Sequence, residues 1–315
     1  MCRRSELIPV RLGGGGSDRP AILVKLTDSS GNVGWGESAP YPQFGTESYA
    51  TSWSVLQKLT ELWVKGAFTL ELAEQFAGYP ASWHGMELAW LNLVAQQRNS
   101  SVAQLLNPAC VLQIELNGVI GNTDLQETKH QAAKLVSQGF RCIKLKIGDR
   151  PFAQDLSRIL AVQGIGGAGL QIRLDANQKW TVPQAIDNLQ VLERLPLHIQ
   201  YVEQPISACA IADLRIVKEH TTIAIAGDEA VRSMKHLEQI IQLQAVDYII
   251  LKPMFIGSLL HSYSMGITAI EAGIKPVVTN TFDGYWAWYG ALQLASALQI
   301  KEPCGLSLYR SYLTG

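Results

Sequence analysis

Six side chains in the later part of this 315-residue chain could do chemistry together: Lys144, Lys146, Asp175, Glu203, Asp228 and Lys252. The stretch Arg141 to Gly148 reads RCIKLKIG, and its Ile143, Leu145 and Ile147 alternate with the first two lysines. Successive side chains of a strand point to opposite faces, so both lysines share one face. If the other face packs on helices, two ammonium groups enter a protein interior, which is costly unless they are paired. Downstream, three consecutive apolar runs end in RLDAN, YVEQP and GDE, and a fourth ends in LKP. Each of the first three brings one carboxylate to the end of a strand: Asp175, Glu203 and Asp228.

Three converging carboxylates repel one another and force protonation unless a cation lies among them. An all-oxygen set without His or Cys indicates a hard divalent ion, Mg2+, with Mn2+ as the substitute. Any one of these acids alone would read as a solvated loop end. The KxK strand alone would read as an edge strand blunted with charge. The set on successive strands reverses both readings. A lysine beside a cation and a second lysine titrates below its usual ~10.4 and becomes available as a base. A divalent ion stabilises charge developing on a substrate oxygen. Together they suit removal of a proton α to a carboxylate, through an enediolate. Arg173 and Asn177, flanking Asp175, and Asn280 and Thr281, after a seventh run, are candidate substrate-binding residues.

The elements that must hold these groups are legible as a rhythm. From about residue 111, short apolar runs occur at Leu112 to Leu116, Cys142 to Ile147, Gln171 to Leu174, His198 to Val202, Thr222 to Ala226, Val246 to Leu251 and Lys275 to Val278. Helical patterns fill most gaps, as at Leu125 to Gln138, Gln184 to Arg194, Met234 to Gln242 and Leu259 to Ala272. This alternation predicts a parallel α/β sheet, and seven strands with an eighth near the C-terminus predict a barrel. In a barrel, polar residues at the C-terminal strand ends face the active site, and inward lysines are not ordinary filler. Lys144 and Lys252 then stand on opposite sides of the bore, with the carboxylates along the arc between them.

Residues 1–110 read differently, as α+β. Ala21 to Leu26 and Val33 to Glu37 form a hairpin about the turn Asp28 to Asn32. Gly13 to Gly16 make a connection before it, and no helix start follows to make them a phosphate loop. The proline-rich, aromatic Ala39 to Gly45 is a loop that needs something to cover. Helices follow at Glu47 to Trp63, Leu70 to Phe76 and Trp83 to Arg98, the last with Met86, Trp90, Leu93 and Val94 as a core stripe. Gly164 to Gly169 matches GxGxxG but follows a helix and opens a strand, the reverse of a dinucleotide turn.

Composition sets outer bounds. With 47% hydrophobic and 17% charged residues and a net charge of −1, the chain is globular without the basic face that nucleic acid requires. No run is long enough to span a bilayer and the apolar N-terminal stretch is too short for a signal peptide, so the cytoplasm is the expected compartment. Cys2, Cys110, Cys142, Cys209 and Cys304 are scattered without a CxxC pair and read as buried reduced thiols.

At GFRCIKLKIG, IRLDANQKW, YVEQPI, AGDEAV and YIILKPMFIG, in this order and spacing, the chain resembles the enolase superfamily, in its muconate-lactonising-type branch. Within that branch it is most similar to the o-succinylbenzoate synthase family. WGESAPYPQFGTES resembles the family's cover loop, GMELAWLNLVAQQRNSSVAQLLN the end of its capping domain, and PVVTNTFDG and CGLSLYRSYL its last segments. The resemblance implies an α+β N-terminal capping domain (1–110), against which the tail 301–315 packs, over a (β/α)7β modified TIM barrel (111–300). It implies metal ligands at Asp175, Glu203 and Asp228, Lys146 as base and then acid, Lys252 as a cation facing the enediolate, and Lys144 as supporting charge. The implied reaction on a small-molecule carboxylate is a syn dehydration, of 2-succinyl-6-hydroxy-2,4-cyclohexadiene-1-carboxylate to 2-succinylbenzoate in menaquinone or phylloquinone synthesis. The same scaffold implies two rivals, racemisation of N-succinylamino acids and epimerisation of dipeptides. Dipeptide epimerases usually carry an Asp-x-Asp near the eighth strand, and Lys301 to Tyr309 has none. The chain departs from the family at Tyr41 and Gln43 of the cover loop, at Asn280 and Thr281, and in the aromatic run around Trp286 and Trp288, read here as helix packing.

Overall fold

The computed structural model describes residues 3–13 and 18–313, so Cys2 and most of the run Gly13 to Gly16 lie outside the described residues. An antiparallel sheet opens the chain: β1 (Arg4–Gly13), β2 (Arg19–Thr27) and β3 (Val33–Ser38). The β2–β3 hairpin turns where expected, because the Asp28 carboxylate accepts the Ser30 and Asn32 amides at 2.8 and 2.9 Å. β1 has no counterpart in the sequence reading. It carries Pro9 and a mostly half-exposed face, which blur the alternation that marks a strand.

Helices α1 (Tyr49–Val64) and α2 (Pro80–Gln97) follow, separated by a 3-10 segment Leu70–Phe76, and the short α3 (Val102–Leu106) closes this part. α2 is buried on nearly every side. Its Met86, Ala89 and Leu93 pack with Ile22, Val24 and Leu26 of β2, while Leu88, Leu91 and Ala95 join the larger core beyond. A helix apolar all round belongs between two layers, and α2 is sandwiched between the antiparallel sheet and the rest of the molecule.

That remainder is a curled parallel sheet of seven strands: β4 (Gly118–Ile120), β5 (Cys142–Lys146), β6 (Gln171–Asp175), β7 (Ile199–Glu203), β8 (Ile225–Gly227), β9 (Tyr248–Leu251) and β10 (Lys275–Val278). They pair in sequence order, all parallel. Cys304 bridges Leu116 beside β4, and Gly305 bridges Thr279 after β10, so one segment touches both edges. Helices α4 (Leu125–Ser137), α5 (Phe152–Gly166), α6 (Val182–Glu193), α7 (Ile211–Glu219) and α8 (Met234–Leu243) fill successive crossovers. The one-turn α9 (Pro253–Ile256) and α10 (Leu259–Glu271) fill the next, and α11 (Tyr285–Ala297) follows β10. Gly164 to Gly169 is the end of α5 and a 3-10 turn. Finally β11 (Ser311–Leu313) returns to pair with β1.

Two expectations are corrected. Leu112 to Leu116 is not a strand: Leu112 is 95% exposed, Leu116 makes an isolated bridge, and β4 begins at Gly118. The cysteines are not uniformly buried, since Cys142 and Cys304 are but Cys209 is exposed. Among the described residues no helix is long and apolar enough to cross a membrane.

Candidate active site

The register of the parallel sheet decides what shares the bore. Lys144 lies beside Arg173 and Lys146 beside Asp175, while Arg173 lies beside Tyr201 and Asp175 beside Glu203. Side-by-side residues on neighbouring strands face the same way. The C-terminal rim therefore collects Lys146, Asp175 and Glu203, with Asp228 just after β8 and Lys252 just after β9. All three carboxylates are buried. The Lys144 ammonium lies 2.9 Å from Asp175 Oδ2 and 2.6 Å from Glu203 Oε1. Lys252 donates to Asp228 Oδ2 at 2.5 Å. Lys146 is held differently: its Nζ donates to Asn177 Oδ1 at 2.8 Å and stands 3.8 Å from Asp175. Its side chain is 32% exposed against 14% for Lys144, so Lys146 is the more reachable of the pair.

Charge balance follows from this packing. Burial pushes Glu203 up to about 8, helped by the charge of Asp175. Burial also disfavours ionised Asp175, but Lys144 and Lys146 outweigh it and hold that carboxyl below its ordinary value. Burial likewise works against charged Lys144 and Lys252. The carboxylates win, raising Lys144 through Asp175 and Glu203, and Lys252 through Asp228. Here Lys144 and Lys252 themselves neutralise the acids. A divalent cation on the same oxygens acts in the opposite direction.

Among the described residues no three acidic, histidine or cysteine side chains lie close enough together to enclose an ion. The Lys144 ammonium stands between two of the carboxylates instead. The donor chemistry fits a hard cation all the same. Asp175, Glu203 and Asp228 offer only oxygen, and Glu203 Oε2 is buried without a hydrogen-bond partner.

Several residues that the sequence reading passed over fix this rim. Gln204, buried and at φ 36°, accepts the amides of Asp228 and Ala230 and so sets the loop carrying Asp228. Arg158, paired with Asp155, donates to the carbonyls of Lys146 at 2.8 Å and Gly121 at 2.7 Å, pinning the end of β5. Gln204 was visible as the QP after Glu203; Arg158 gave no signal beyond one charge in a helix. Phe44 of the cover loop stacks between Tyr41 and Phe255. With Asp228, Glu229 and Lys252 it lines a cavity of only about 20 Å3, so the loop lies directly over the charged rim. A roomier cleft of about 380 Å3 runs between Phe76, Trp83 and Met265. Its charged side chains Glu74, Arg232 and Lys235 are exposed.

The four candidate substrate contacts separate. Asn177 is at the rim. Arg173 is one layer deeper and fully buried, donating to Gln200 at 2.7 Å, Asn117 at 2.9 Å and the Pro303 carbonyl at 2.5 Å. It packs over Tyr201, which packs on Tyr248, with Lys275 beyond, so it belongs to the floor of the bore. Asn280 donates to the Leu308 carbonyl at 2.9 Å. Thr281 is buried, its amide donating to Asp283 and its hydroxyl without a hydrogen-bond partner. Trp288 donates to the Leu306 carbonyl and Trp286 stacks on Trp35, both as packing.

Known proteins share this architecture at low sequence identity. The N-succinyl-L-Arg/Lys racemase of Bacillus cereus is 26% identical over 82% of this chain and 72% of its own length. The o-succinylbenzoate synthase of Thermobifida fusca is also 26% identical, over 98% of this chain and 81% of its own. A dipeptide epimerase from Enterococcus faecalis, solved with Mg and the dipeptide L-Leu-L-Tyr, superposes with a TM-score of 0.87 at 21% identity, covering 98% of this chain and 92% of that one. Residues 127–313 match the family model described as enolase C-terminal domain-like. That match takes in more than half of the sequence, with Lys144, Lys146, Asp175, Glu203, Asp228 and Lys252 inside it, and the chain belongs to the enolase C-terminal domain-like family.

Proposed function

We propose that this chain is a Mg2+-dependent cytoplasmic enzyme that removes the proton α to a carboxylate, and that it racemises N-succinylamino acids. The active site lies at the strand ends of a (β/α)7β barrel (111–300), under a capping domain (1–110) to which the tail 301–315 returns. The observation that carries the reading is the pair of ammonium groups, Lys146 and Lys252, on strand ends either side of the buried carboxylates. Asp175, Glu203 and Asp228 would hold the cation, which when bound supplies positive charge to the substrate carboxylate and lowers the cost of the carbanion. Lys146 takes the α-proton from one face and Lys252 returns a proton from the other, and the reverse path regenerates both. Lys144 keeps the carboxylates neutralised and does not touch the α-carbon. The N-succinyl class is preferred to dipeptides because Lys301 to Tyr309 lacks the acidic pair expected to hold a substrate amine.

A second reading, o-succinylbenzoate synthesis, is favoured by the alignment to the Thermobifida fusca enzyme over almost the whole chain. There Lys146 acts alone, as base and then as acid toward the leaving hydroxide, with Lys252 a spectator cation. One experiment separates the two. N-succinylamino acids of both hands and the cyclohexadiene carboxylate are supplied with Mg2+, following α-proton exchange in D2O and the rise of aromatic absorbance. Exchange of both hands supports racemisation; fast dehydration with slow exchange supports the synthase. Lys146→Ala should cost roughly 10²–10⁴-fold in kcat on either route. Near-normal turnover by that variant sinks both.

A further inference from the structure

Glu229 has no role in the mechanism above, yet it sits next to Asp228 at the rim. Its Oε1 accepts from Asn177 Nδ2 at 3.3 Å, and Asn177 Oδ1 accepts from Lys146 Nζ at 2.8 Å. The amide orientation in this chain of contacts is fixed by chemistry. An ammonium can only donate, so Asn177 must show it oxygen; a carboxylate can only accept, so Asn177 must show it nitrogen. The backbone supports the arrangement. Asn177 stands at φ 41°, a left-handed conformation that asparagine tolerates, and its amide donates to Asp175 Oδ1 at 3.1 Å. The other end of Lys146 is also fixed, through its carbonyl on Arg158.

The contrast with the other two lysines gives this meaning. Lys144 and Lys252 lie directly against carboxylates, Lys144 at 2.9 and 2.6 Å and Lys252 at 2.5 Å. Lys146 is held mainly by the neutral Asn177 carbonyl oxygen at 2.8 Å, with Asp175 farther off at 3.8 Å. Such a partner fixes where the nitrogen points. We propose that Glu229 is a positioning residue: by fixing the Asn177 amide it aims Lys146 Nζ at the substrate α-carbon, and neither Glu229 nor Asn177 binds the substrate. This rests on the reading of Lys146 as the base.

The test compares Glu229→Ala and Glu229→Gln with the unaltered enzyme. Glutamine keeps an oxygen that can accept from Asn177; alanine does not. Loss of aim of about 1 Å costs on the order of 10²-fold. Glu229→Ala should therefore lose roughly 10–100-fold in kcat for α-proton exchange, with KM and the Mg2+ dissociation constant by calorimetry each within about threefold. Glu229→Gln should recover to within about fivefold of the unaltered enzyme. If Glu229→Gln falls as far as Glu229→Ala, or Mg2+ binding weakens with kcat, Glu229 acts through its charge on the cation and the proposal fails. A rise in KM alone would make it a substrate contact and also overturn it. Crystal structures of both variants with Mg2+ read the same claim without turnover. Asn177 and Lys146 should shift in the alanine variant and stay in the glutamine variant; unmoved side chains in both refute the positioning role. If the unaltered enzyme exchanges no α-proton, the proposed function falls and these structures still decide the contact.

Discussion

Arg173 shows how much depth matters at the level of single residues. Its type and its place two residues before Asp175 suggest a hand for the substrate. Its guanidinium is instead spent on Gln200, Asn117 and the Pro303 carbonyl, beneath the rim. Arg173→Met should then leave KM within about twofold and lower unfolding stability by roughly 3 kcal/mol, since two buried acceptors and one half-buried acceptor lose a charged donor. Urea denaturation beside steady-state kinetics measures both; raised KM with intact stability would return Arg173 to the substrate. The case also shows what a sequence conveys at this scale. That Lys144, Lys146, Asp175, Glu203, Asp228 and Lys252 meet was legible, because each is a charge interrupting or ending an apolar run. Layer was not: period two places Arg173 and Asp175 on one face without saying which is covered by the other. Asn177 was legible as polar and rim-level, but its partners, Lys146 and Glu229, lie 31 and 52 residues away.

Elements were legible in proportion to their contrast with their flanks. Buried β9 and β10 read as clean apolar runs, and β5 through its lysines. β1 was hidden by Pro9 and its half-exposed face, and Leu112 to Leu116 mimicked a strand while Leu112 points to solvent. The packing of β3 on α2 rests on Gly34 and Gly36, to which the sequence reading gave no role. A Cβ built on Gly36 would sit 2.0 Å from the Gly85 carbonyl and 2.7 Å from the Ala89 amide, both backbone of α2. Neither can swing away, so strand and helix would have to part. Gly36→Ala should cost at least ~3 kcal/mol, the upper end for overpacking. Gly78→Ala, where an added methyl meets nothing within 4 Å, should stay within about 0.5 kcal/mol. Equal melting temperatures for the two variants would contradict this account of the contact. Because β3 leads directly into the loop bearing Phe44, Gly36→Ala should also loosen the cover over the rim.

At the scale of the whole molecule, the antiparallel layer is fastened to the parallel one by buried acids at helix N-termini. Glu87 of α2 accepts the Ser258 hydroxyl and the Leu259 and Leu260 amides at the start of α10. Glu37 at the end of β3 accepts the Gly284 amide at 2.6 Å and the Ala287 amide at 3.3 Å at the start of α11, and the Tyr312 hydroxyl at 2.6 Å. Helix N-termini favour negative charge, yet burial dominates and, with Asp283 nearby, pushes Glu37 up to about 7 from its ordinary 4.5. Between those values the folded protein keeps a proton that the unfolded chain has released. Stability from this group is therefore full below about 4.5, declines as pH rises to about 7 and is flat beyond, a loss on the order of 3 kcal/mol. Glu87, also raised by burial, slopes the same way. His84, whose ring nitrogen meets the Glu37 carbonyl, is lowered by burial and slopes oppositely, stability rising with pH up to its unfolded value. The unaltered protein alone would mix these terms, but Glu37→Gln removes one. Its changed hydrogen bonds shift stability by an amount that does not depend on pH. The difference between the two proteins should therefore move by about 3 kcal/mol in favour of the variant from pH 4.5 to pH 8 in urea titrations. A difference constant across that range would mean that Glu37 is ionised throughout, and that the helix terminus, not burial, governs how the two layers are joined.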